Sequence, residues 1–221
     1  MPRKNNPRET VERILSASMK LFHEKGFEHT SMQDIVDASD MSKGAIFYHF
    51  KSKEEVFEAA MEVQYENTIK TMFAWLAELK NMNAREKLID LLRRNISDRK
   101  LVAANIKMAV IGLRSPHLLL ANMRNNVIRS APLVAGIIRE GIEDGSFSTE
   151  YPQECAEVFL QLFNYWCDPF FFTCDMPTVE KRFLFLQQLM RRSGVDVVTD
   201  EIITLAMQYT EDFYNEVAKH G

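Results

Sequence analysis

The residues with the clearest chemical potential lie in segment 41–55, which reads MSKGAIFYHFKSKEE. Ile46 and Phe50 are four residues apart and share one face of a short helix, which we expect to pack inward. Gly44 costs a helix about 1 kcal/mol relative to alanine, so a residue without a side chain there suggests close approach of another large body. Backbone N–H groups at a helix start, with lysines beside them, favour anions such as phosphate.

A simpler interpretation of this segment is that Gly44 is incidental and that Tyr48, His49 and the lysines form an ordinary solvated surface. The distribution of charge favours the first interpretation. Residues 1–53 contain nine Lys/Arg against seven Asp/Glu, whereas residues 54–221 contain eighteen against twenty-four. A mildly basic N-terminal part can meet phosphate locally although the chain has a formal net charge of −4.

Short helices with capping residues are predicted to position this segment. A first helix is expected to start at residues 6–9 and to end at Gly26 in a left-handed conformation. Residues 30–33 predict a capping box for a second helix, Ser42 a cap for a third, and residues 52–55 the start of a long fourth helix. One long helix followed by two short ones, joined by about three residues, is the arrangement of a helix-turn-helix.

Helical periodicity continues through the rest of the chain, and no strand pattern of useful length is present. Pro132 should kink or split the helix that ends near Asp144. Three further helices are expected at 152–168, 178–193 and 199–219. The sequence therefore predicts an all-α protein of nine or ten helices, with a helix-turn-helix domain at 1–53 and a larger helical domain at 54–221.

The stretch SMQDIVDASDMSKGAIFYHFKSKEEVF resembles the DNA-binding signature of TetR/AcrR-type transcriptional regulators. The resemblance is strongest over about residues 9–57. Beyond it, the agreement is in length, helical content and the IIREGIEDGSF turn near 137–147. It implies an N-terminal DNA-binding domain and a C-terminal domain for ligand binding and dimerisation. The DNA-binding residues that it implies are Thr30, Ser31, Lys43, Gly44, Ala45, Phe47, Tyr48, His49 and Lys53.

The resemblance also implies roles for these residues. Those at 30–31 would hold phosphates, those at 43–45 would lie at the entrance to the major groove, and those at 48–49 would contact backbone or bases. Lys53 would bind a phosphate. Phe47 stands where a tyrosine is frequent, so a hydroxyl contact to phosphate is absent. Asp40 stands where a turn glycine is common, and we expect the turn to survive because aspartate tolerates left-handed geometry.

The larger domain contains a segment, from Ala156 to Phe172, that is apolar nearly all round, which is typical of a helix buried on more than one side. A second subunit could cover it, and a buried helix in a monomer is the alternative. With the last helix it predicts a homodimer through about 152–172 and 199–219, whose recognition helices would lie about 34–36 Å apart on a pseudo-palindromic operator. The apolar stripe of the last helix comprises Ile202, Leu205, Ala206, Tyr209, Phe213 and Val217.

Rings and methionines in this domain suggest a mostly apolar effector site with a few polar groups, such as Asn164 or Tyr165, although an ordinary core has the same composition. An apolar or amphipathic effector bound there would release a repressor from its operator. The candidate pocket residues are Met72, Phe73, Met108, Met123, Phe159, Phe163, Asn164, Trp166 and Phe170.

Other classes of function have little support in the sequence. His23-Glu24-Lys25 lacks the second histidine of HExxH, Lys43-Gly44 reverses the order of a P-loop, and the histidines lack metal-ligand spacing. We therefore predict no catalytic residue, metal or cofactor; a helical protein-interaction scaffold, or less favourably a small-molecule enzyme, is the alternative. No apolar run reaches the roughly 18–20 residues of a membrane span and no signal peptide is evident. We therefore expect a cytoplasmic protein. The three cysteines form no CxxC pair, and in that compartment we expect them to be reduced thiols.

Overall fold

The computed structural model describes residues 7–98, 102, 116–168, 171–172 and 174–220, and these contain helices and no strand. The predicted all-α class is confirmed. The described α-helices are α1 Pro7–Lys25, α2 Met32–Ser39, α3 Lys43–His49, α4 Lys53–Glu78, α5 Ala84–Ser97, α6 Pro116–Asn125, α7 Ala131–Asp144, α8 Pro152–Gln161, α9 Met176–Arg192 and α10 Asp200–His220. Two π-helical segments, Asn126–Ser130 and Leu162–Trp166, follow α6 and α8.

The chain divides into two compact units. The head unit comprises Met1–Ala74 and Lys107–Leu118, and the body unit comprises Trp75–Ile106 and Leu119–Gly221. Helix α4 is continuous through the predicted domain boundary between residues 53 and 54, so that boundary stays a prediction.

The head unit is held together by a compact apolar core. The rings of Phe22, Phe27 and Phe57 contact one another, with centroids 5.1–5.9 Å apart. Ile46 and Phe50 belong to the same core and are 0% and 8% exposed. The inner face predicted for α3 is therefore the face that α3 buries.

Local signals in the sequence fix the ends of the short helices. Gly26 follows α1 with φ 85°, as predicted, and Asp40 follows α2 with φ 52° and ψ 40°. The second helix has a capping box, but its members are Ser31 and Asp34 and not the predicted residues 30–33. The prediction was one residue early, because Ser31 has the extended backbone of a cap and its side chain accepts from the N–H of Asp34.

The chain stays helical from Pro116 to Asp144, so the split considered for Pro132 is not found, but the hydrogen-bond pattern changes beside this proline. A proline has no N–H and crowds the preceding turn, and here it lies in the first turn of α7, directly after the π-helical segment. Gly145 ends α7 with φ 81°. The carboxylate of Asp144 accepts from the N–H of Ala84 at 2.8 Å and so connects the end of α7 to the start of α5.

Candidate nucleic-acid interface

The leading end of α3 is open to solvent. The hydroxyl of Ser42 accepts from the N–H of Ala45 at 3.2 Å and caps the helix, as predicted. Lys43 and Gly44 follow it and are exposed. A Cβ atom built on Gly44 would have no neighbour within 4 Å, so packing inside the chain does not require glycine there.

The outer face of α3 presents rings and a charge. Tyr48 is 80% exposed, and its ring stands edge-on to that of His49 with centroids 5.1 Å apart. The ammonium of Lys43 lies 5.7 Å from the centroid of the half-buried Phe47 ring, within the range of a cation–π contact. This face can therefore offer a phenol, an imidazole and an ammonium group beside uncovered backbone.

The side chain of Lys53, which was expected to bind a phosphate, makes hydrogen bonds within the head unit. Its ammonium donates to the carbonyls of Phe27 at 2.8 Å and Glu28 at 3.1 Å. It also lies 4.6 Å from the centroid of the Phe27 ring. An ammonium has three N–H donors, so one donor is left for a phosphate.

The side chain of Thr30 is engaged within the chain, and a phosphate contact at Ser31 stays a prediction. Thr30 is 2% exposed and its hydroxyl donates to the carbonyl of Gly26 at 2.7 Å. That hydroxyl stabilises the turn between α1 and α2. Ser31 is exposed at the start of α2, where backbone N–H groups favour an anion.

An ion pair that the sequence did not predict stands beside Ser31. Lys25 donates to the carboxylate of Asp34 at 2.6 Å, and Ser31 donates to the same carboxylate through its N–H at 2.7 Å and its hydroxyl at 2.6 Å. The hydrogen bond from Lys25, followed by those from Ser31, lowers the pKa of Asp34 well below its usual value. The carboxylate therefore stays charged and accepts hydrogen bonds at neutral pH.

Arg13 was also missed by sequence reasoning. Its guanidinium donates to the carbonyl of Ser39 at 3.3 Å and lies 3.9 Å from the carboxylate of Asp40. These contacts connect α1 to the turn that orients α3. Its position in α1, 26 residues before Ser39, carries no local signal of this contact.

The predicted effector pocket is only partly described. Met108 and Phe170 lie outside the described residues, and Met72 and Phe73 belong to the head unit. The other candidates, Met123, Phe159, Phe163, Asn164 and Trp166, belong to the body unit. Of these, Asn164 is exposed, so it is not the interior polar group that the prediction required.

Two of the predicted pocket residues lie in an aromatic cluster of the body. The rings of Phe159 and Phe163 are 5.3 Å apart, and Phe163 lies 5.6 Å from Phe183 of α9. Such packing is found both in a plain core and in the wall of an apolar site.

The two segments predicted for dimerisation, 152–172 and 199–219, differ in the apolar surface that they expose. Val158 of α8 is 44% exposed, and Leu184 and Phe185 of α9 are 41% and 55% exposed. By contrast, Ile202 and Ala206 of α10 are 0% and 4% exposed. The predicted stripe at 199–219 therefore includes residues that the body itself covers, whereas Leu205 and Tyr209 are half-buried. The part of this helix in a dimer stays a prediction, and the side chains of Phe213 and Val217 lie outside the described part of the chain.

Among the described helices, none is long and apolar enough to cross a membrane. The described residues also contain no group of three or more His, Cys, Asp or Glu that could hold a metal ion.

A capped α3 with an open leading end, held by two further helices, defines a helix-turn-helix protein. Comparison with known families gives the same class and a more specific assignment. Residues 14–60 match the model of bacterial regulatory proteins of the tetR family, and residues 116–188 match the tetracyclin repressor-like C-terminal domain. Together the two matches cover more than half of the chain, which belongs to the TetR family.

Curated relatives are similar mainly over the N-terminal part. AcrR of Shigella flexneri, an HTH-type transcriptional regulator, is 34% identical over 64 residues, which are 29% of this chain and 30% of AcrR. IcaR of Staphylococcus aureus strain Newman, a negative regulator of the biofilm operon icaADBC, is 31% identical over 72 residues, which are 33% of this chain and 34% of IcaR. The chain thus spans about a third of the length of these relatives.

Solved structures share the fold over nearly the whole chain. A transcriptional regulator of the TetR family from Cytophaga hutchinsonii has a TM-score of 0.54 and 16% identity and covers 95% of both chains. The reduced form of NemR from E. coli has a TM-score of 0.53 and 17% identity and covers 92% of this chain and 96% of NemR. At such identities the likeness concerns the fold alone.

Proposed function

We propose that this chain is a DNA-binding transcriptional regulator that acts as a homodimeric repressor in the cytoplasm and is released from a pseudo-palindromic operator by a small effector. The observation that carries the proposal is the outward leading end of α3, where Lys43 and Gly44 are exposed while Ile46 is fully buried. Had that end been covered by the rest of the head unit, α3 could not enter a groove. Repression is suggested by IcaR, a relative described as a negative regulator.

Salt-dependent binding to duplex DNA tests the proposal. Lysines that neutralise phosphates release counterions, so the logarithm of the binding constant should fall linearly with the logarithm of salt concentration. The duplex is first selected from a random pool with the full chain. A protein scaffold or a small-molecule enzyme would select no sequence and would show no such slope.

Tyr48→Ala separates recognition from folding. Because Tyr48 is 80% exposed, its removal should weaken binding to the selected duplex and leave the unfolding midpoint unchanged. Tyr151→Ala is the matched control, since Tyr151 is 61% exposed but belongs to the body unit. Equal footprints for the two variants would mean that the DNA-binding face lies elsewhere.

The dimer interface is proposed to involve the exposed apolar faces of α8 and α9. Val158, Leu184 and Phe185 supply apolar surface that a second subunit would cover. Phe185→Glu should produce a monomer in sedimentation, whereas Ile142→Glu, at a residue of α7 that is 40% exposed, should leave the dimer intact. A dimer that survives Phe185→Glu argues against this interface. Truncation before α10 is a poor test, because it would uncover the core around Ile202.

Effector release is proposed to follow from coupling between the body and the DNA-binding face. Such coupling is typically worth about 1–3 kcal/mol and is reciprocal. Saturating operator DNA should therefore weaken the binding of a true effector by the same factor by which the effector weakens DNA binding. A compound whose affinity is unaffected by operator DNA is not an effector.

A further inference from the structure

Two hydrogen bonds in the body unit lie at the π-helical segments. One joins the two segments to each other, and the other joins the helices that precede them. Gln161, the last residue of α8, donates through Nε2 to the carbonyl of Met123 at 3.0 Å. Asn126, the first residue of one π segment, donates through Nδ2 to the hydroxyl of Tyr165 in the other at 3.1 Å. Single π-helical turns inside helices are frequent at functional sites. Gln161, Tyr165 and Asn126 are called the amide–phenol cluster below.

Gln161 has an unused acceptor. Its Oε1 is buried, and none of the described residues donates to it. Exchanging the positions of Oε1 and Nε2 would not give Oε1 a donor. The carbonyl of Met123 only accepts hydrogen bonds, so Nε2 must face it. A buried acceptor without a donor costs free energy, which a bound group with an N–H or O–H would recover.

Tyr165 has an unused donor. Its side chain is 6% exposed, and in its hydrogen bond with Asn126 the hydroxyl is the acceptor. Burial raises the pKa of Tyr165 well above its usual value, so the hydroxyl keeps its proton at neutral pH. No acceptor for that proton is found in the described part of the chain. Gln161 and Tyr165 are four residues apart in sequence, and their partners, Met123 and Asn126, are three residues apart.

The surroundings of the cluster are rich in aromatic rings, and two charged side chains, Arg182 and Asp168, lie near Cys167. Arg182 donates to the carbonyl of Trp166 at 2.8 Å. The ring of Tyr165 is 5.2 Å from that of Phe171, and Phe159 and Phe163 pack together at 5.3 Å. Cys167 follows the π segment, is fully buried, and has its pKa raised by burial to about 12, so it is a neutral thiol. Neither member of the unused pair is charged, so a charged ligand would gain no counter-charge from them.

We infer that the amide–phenol cluster recognises a neutral hydroxyl or amide group on an apolar small molecule. The ligand donates to Gln161 Oε1 and accepts from the hydroxyl of Tyr165, and its apolar part lies against the neighbouring rings. The inference deepens the proposed function and rests on it, because it gives the effector a chemical class. Of the two polar residues that the sequence suggested for an effector site, Asn164 is exposed and Tyr165 belongs to the cluster, whereas Gln161 and Asn126 were not predicted.

Pairs of compounds that differ only in the polar group test this inference. The probes are 4-butylphenol with 4-butylanisole, and hexanamide with N,N-dimethylhexanamide, titrated calorimetrically into the full chain. Methylation removes the donor that Gln161 requires. In at least one pair, the compound with the free O–H or N–H should bind at least tenfold more tightly than its methylated partner. Equal affinities within both pairs, or no binding by any probe, would overturn the inference, as expected if a water molecule fills the cluster.

Two variants test whether the amide–phenol cluster causes the difference in affinity within each pair of compounds. Tyr165→Phe removes only the hydroxyl and Gln161→Leu removes the amide, so each should reduce the affinity ratio towards one. Tyr151→Phe, in the same unit but outside the cluster, should keep the full ratio. A ratio that survives in both cluster variants would place the binding site elsewhere and overturn the inference.

Duplex binding of the same proteins separates this inference from the proposed function. Wild-type chain and Tyr165→Phe should bind the selected operator alike, because the cluster lies in the body unit. A wild-type chain that binds the operator but does not discriminate within either pair of compounds rejects the cluster alone. Failure of the wild-type chain to bind any duplex rejects the regulator proposal itself, whatever the calorimetry gives.

Discussion

The ammonium of Lys53 donates to the carbonyl of Phe27 at 2.8 Å and lies 4.6 Å from the centroid of the Phe27 ring. Lys53 is the first residue of α4, and Phe27 lies in the turn between α1 and α2. One side chain therefore joins the start of the fourth helix to the turn that precedes the second. A lysine expected to meet phosphate also stabilises the head unit.

Lys53→Met should consequently change two properties at once. Loss of two hydrogen bonds from a partly exposed ammonium should lower the free energy of unfolding by about 1 kcal/mol. Loss of one phosphate contact should weaken all duplexes alike and flatten the salt slope by about one unit. Urea unfolding and salt titrations of duplex binding measure the two effects.

Lys70→Met is the control for this substitution, because Lys70 is an exposed lysine of the same helix whose ion pair with Glu66 spans 3.7 Å. It should leave the salt slope unchanged. Reduced stability of Lys53→Met with an unaltered slope would show that Lys53 is purely structural.

Gly44→Ala should separate folding from DNA binding. Nothing in the chain lies within 4 Å of the added Cβ, so the fold should be unaffected or gain up to about 1 kcal/mol of stability. The methyl group would stand where the helix end meets DNA, and operator affinity should fall about tenfold or more. Fluorescence anisotropy and thermal unfolding measure these outcomes.

Gly136→Ala is a matched control for the previous substitution. Gly136 is exposed in α7, and its added Cβ also has no neighbour within 4 Å. This variant should gain similar stability and keep full operator affinity. If both alanine variants bind the operator as the wild type does, α3 does not approach DNA at Gly44.

Features of the head unit that depend on neighbours three or four residues apart could be predicted from the sequence. The cap at Ser42 and the inward pair Ile46 and Phe50 follow from side-chain chemistry and helical spacing. The left-handed residues Gly26 and Asp40 follow from the need to end a helix in a conformation that few residues tolerate. Little of the tertiary structure is needed to explain them.

Contacts between distant parts of the chain could not be predicted in this way. Helical periodicity shows that α10 has an apolar stripe, but not whether the chain itself or a partner covers Ile202 and Ala206. Likewise, Thr30 carries a hydroxyl suited to phosphate, yet that hydroxyl donates to the carbonyl of Gly26. The side chain of Arg13 reaches Ser39, which is 26 residues away. Such partners are set by packing and not by spacing.

The ion pair of Lys25 and Asp34 should make the stability of the head unit depend on pH. The folded-state pKa of Asp34 is lowered, first by the hydrogen bond from Lys25 and then by those from Ser31. Its contribution is therefore fully present above the unfolded pKa of about 4 and is lost as the pH falls towards the lowered folded pKa. Relative to wild type, Asp34→Asn should be destabilised near neutral pH, and the difference should shrink below about pH 4.

A double-mutant cycle with Lys25→Met checks the cause of that pH dependence. Urea midpoints are measured across the acid range for both single variants and the double variant. Removing Lys25 should reduce the effect of Asp34→Asn, since the largest contribution to the lowered pKa comes from that lysine. Additive effects at neutral pH would show that the hydrogen bonds from Ser31 act alone.

Gly141→Ala should be more damaging than Gly44→Ala or Gly136→Ala. Gly141 is buried in α7, and an added Cβ would lie 2.1 Å from Cδ2 of the Phe147 ring. The N–H of Phe147 donates to the carbonyl of Gly141 at 2.9 Å, so its backbone is held beside the added methyl group and its buried ring must turn to make room. Overpacking of this kind should cost about 2–3 kcal/mol in urea unfolding, whereas Gly136→Ala in the same helix should cost nothing.

A second substitution shows whether the ring is the cause. In the double variant Gly141→Ala with Phe147→Leu, the smaller side chain leaves room for the new methyl group. Phe147 is 5% exposed, so Phe147→Leu alone should also destabilise. The double variant should nevertheless be more stable than the sum of the two single effects predicts. Purely additive losses would mean that Gly141 is required for a reason other than its contact with Phe147.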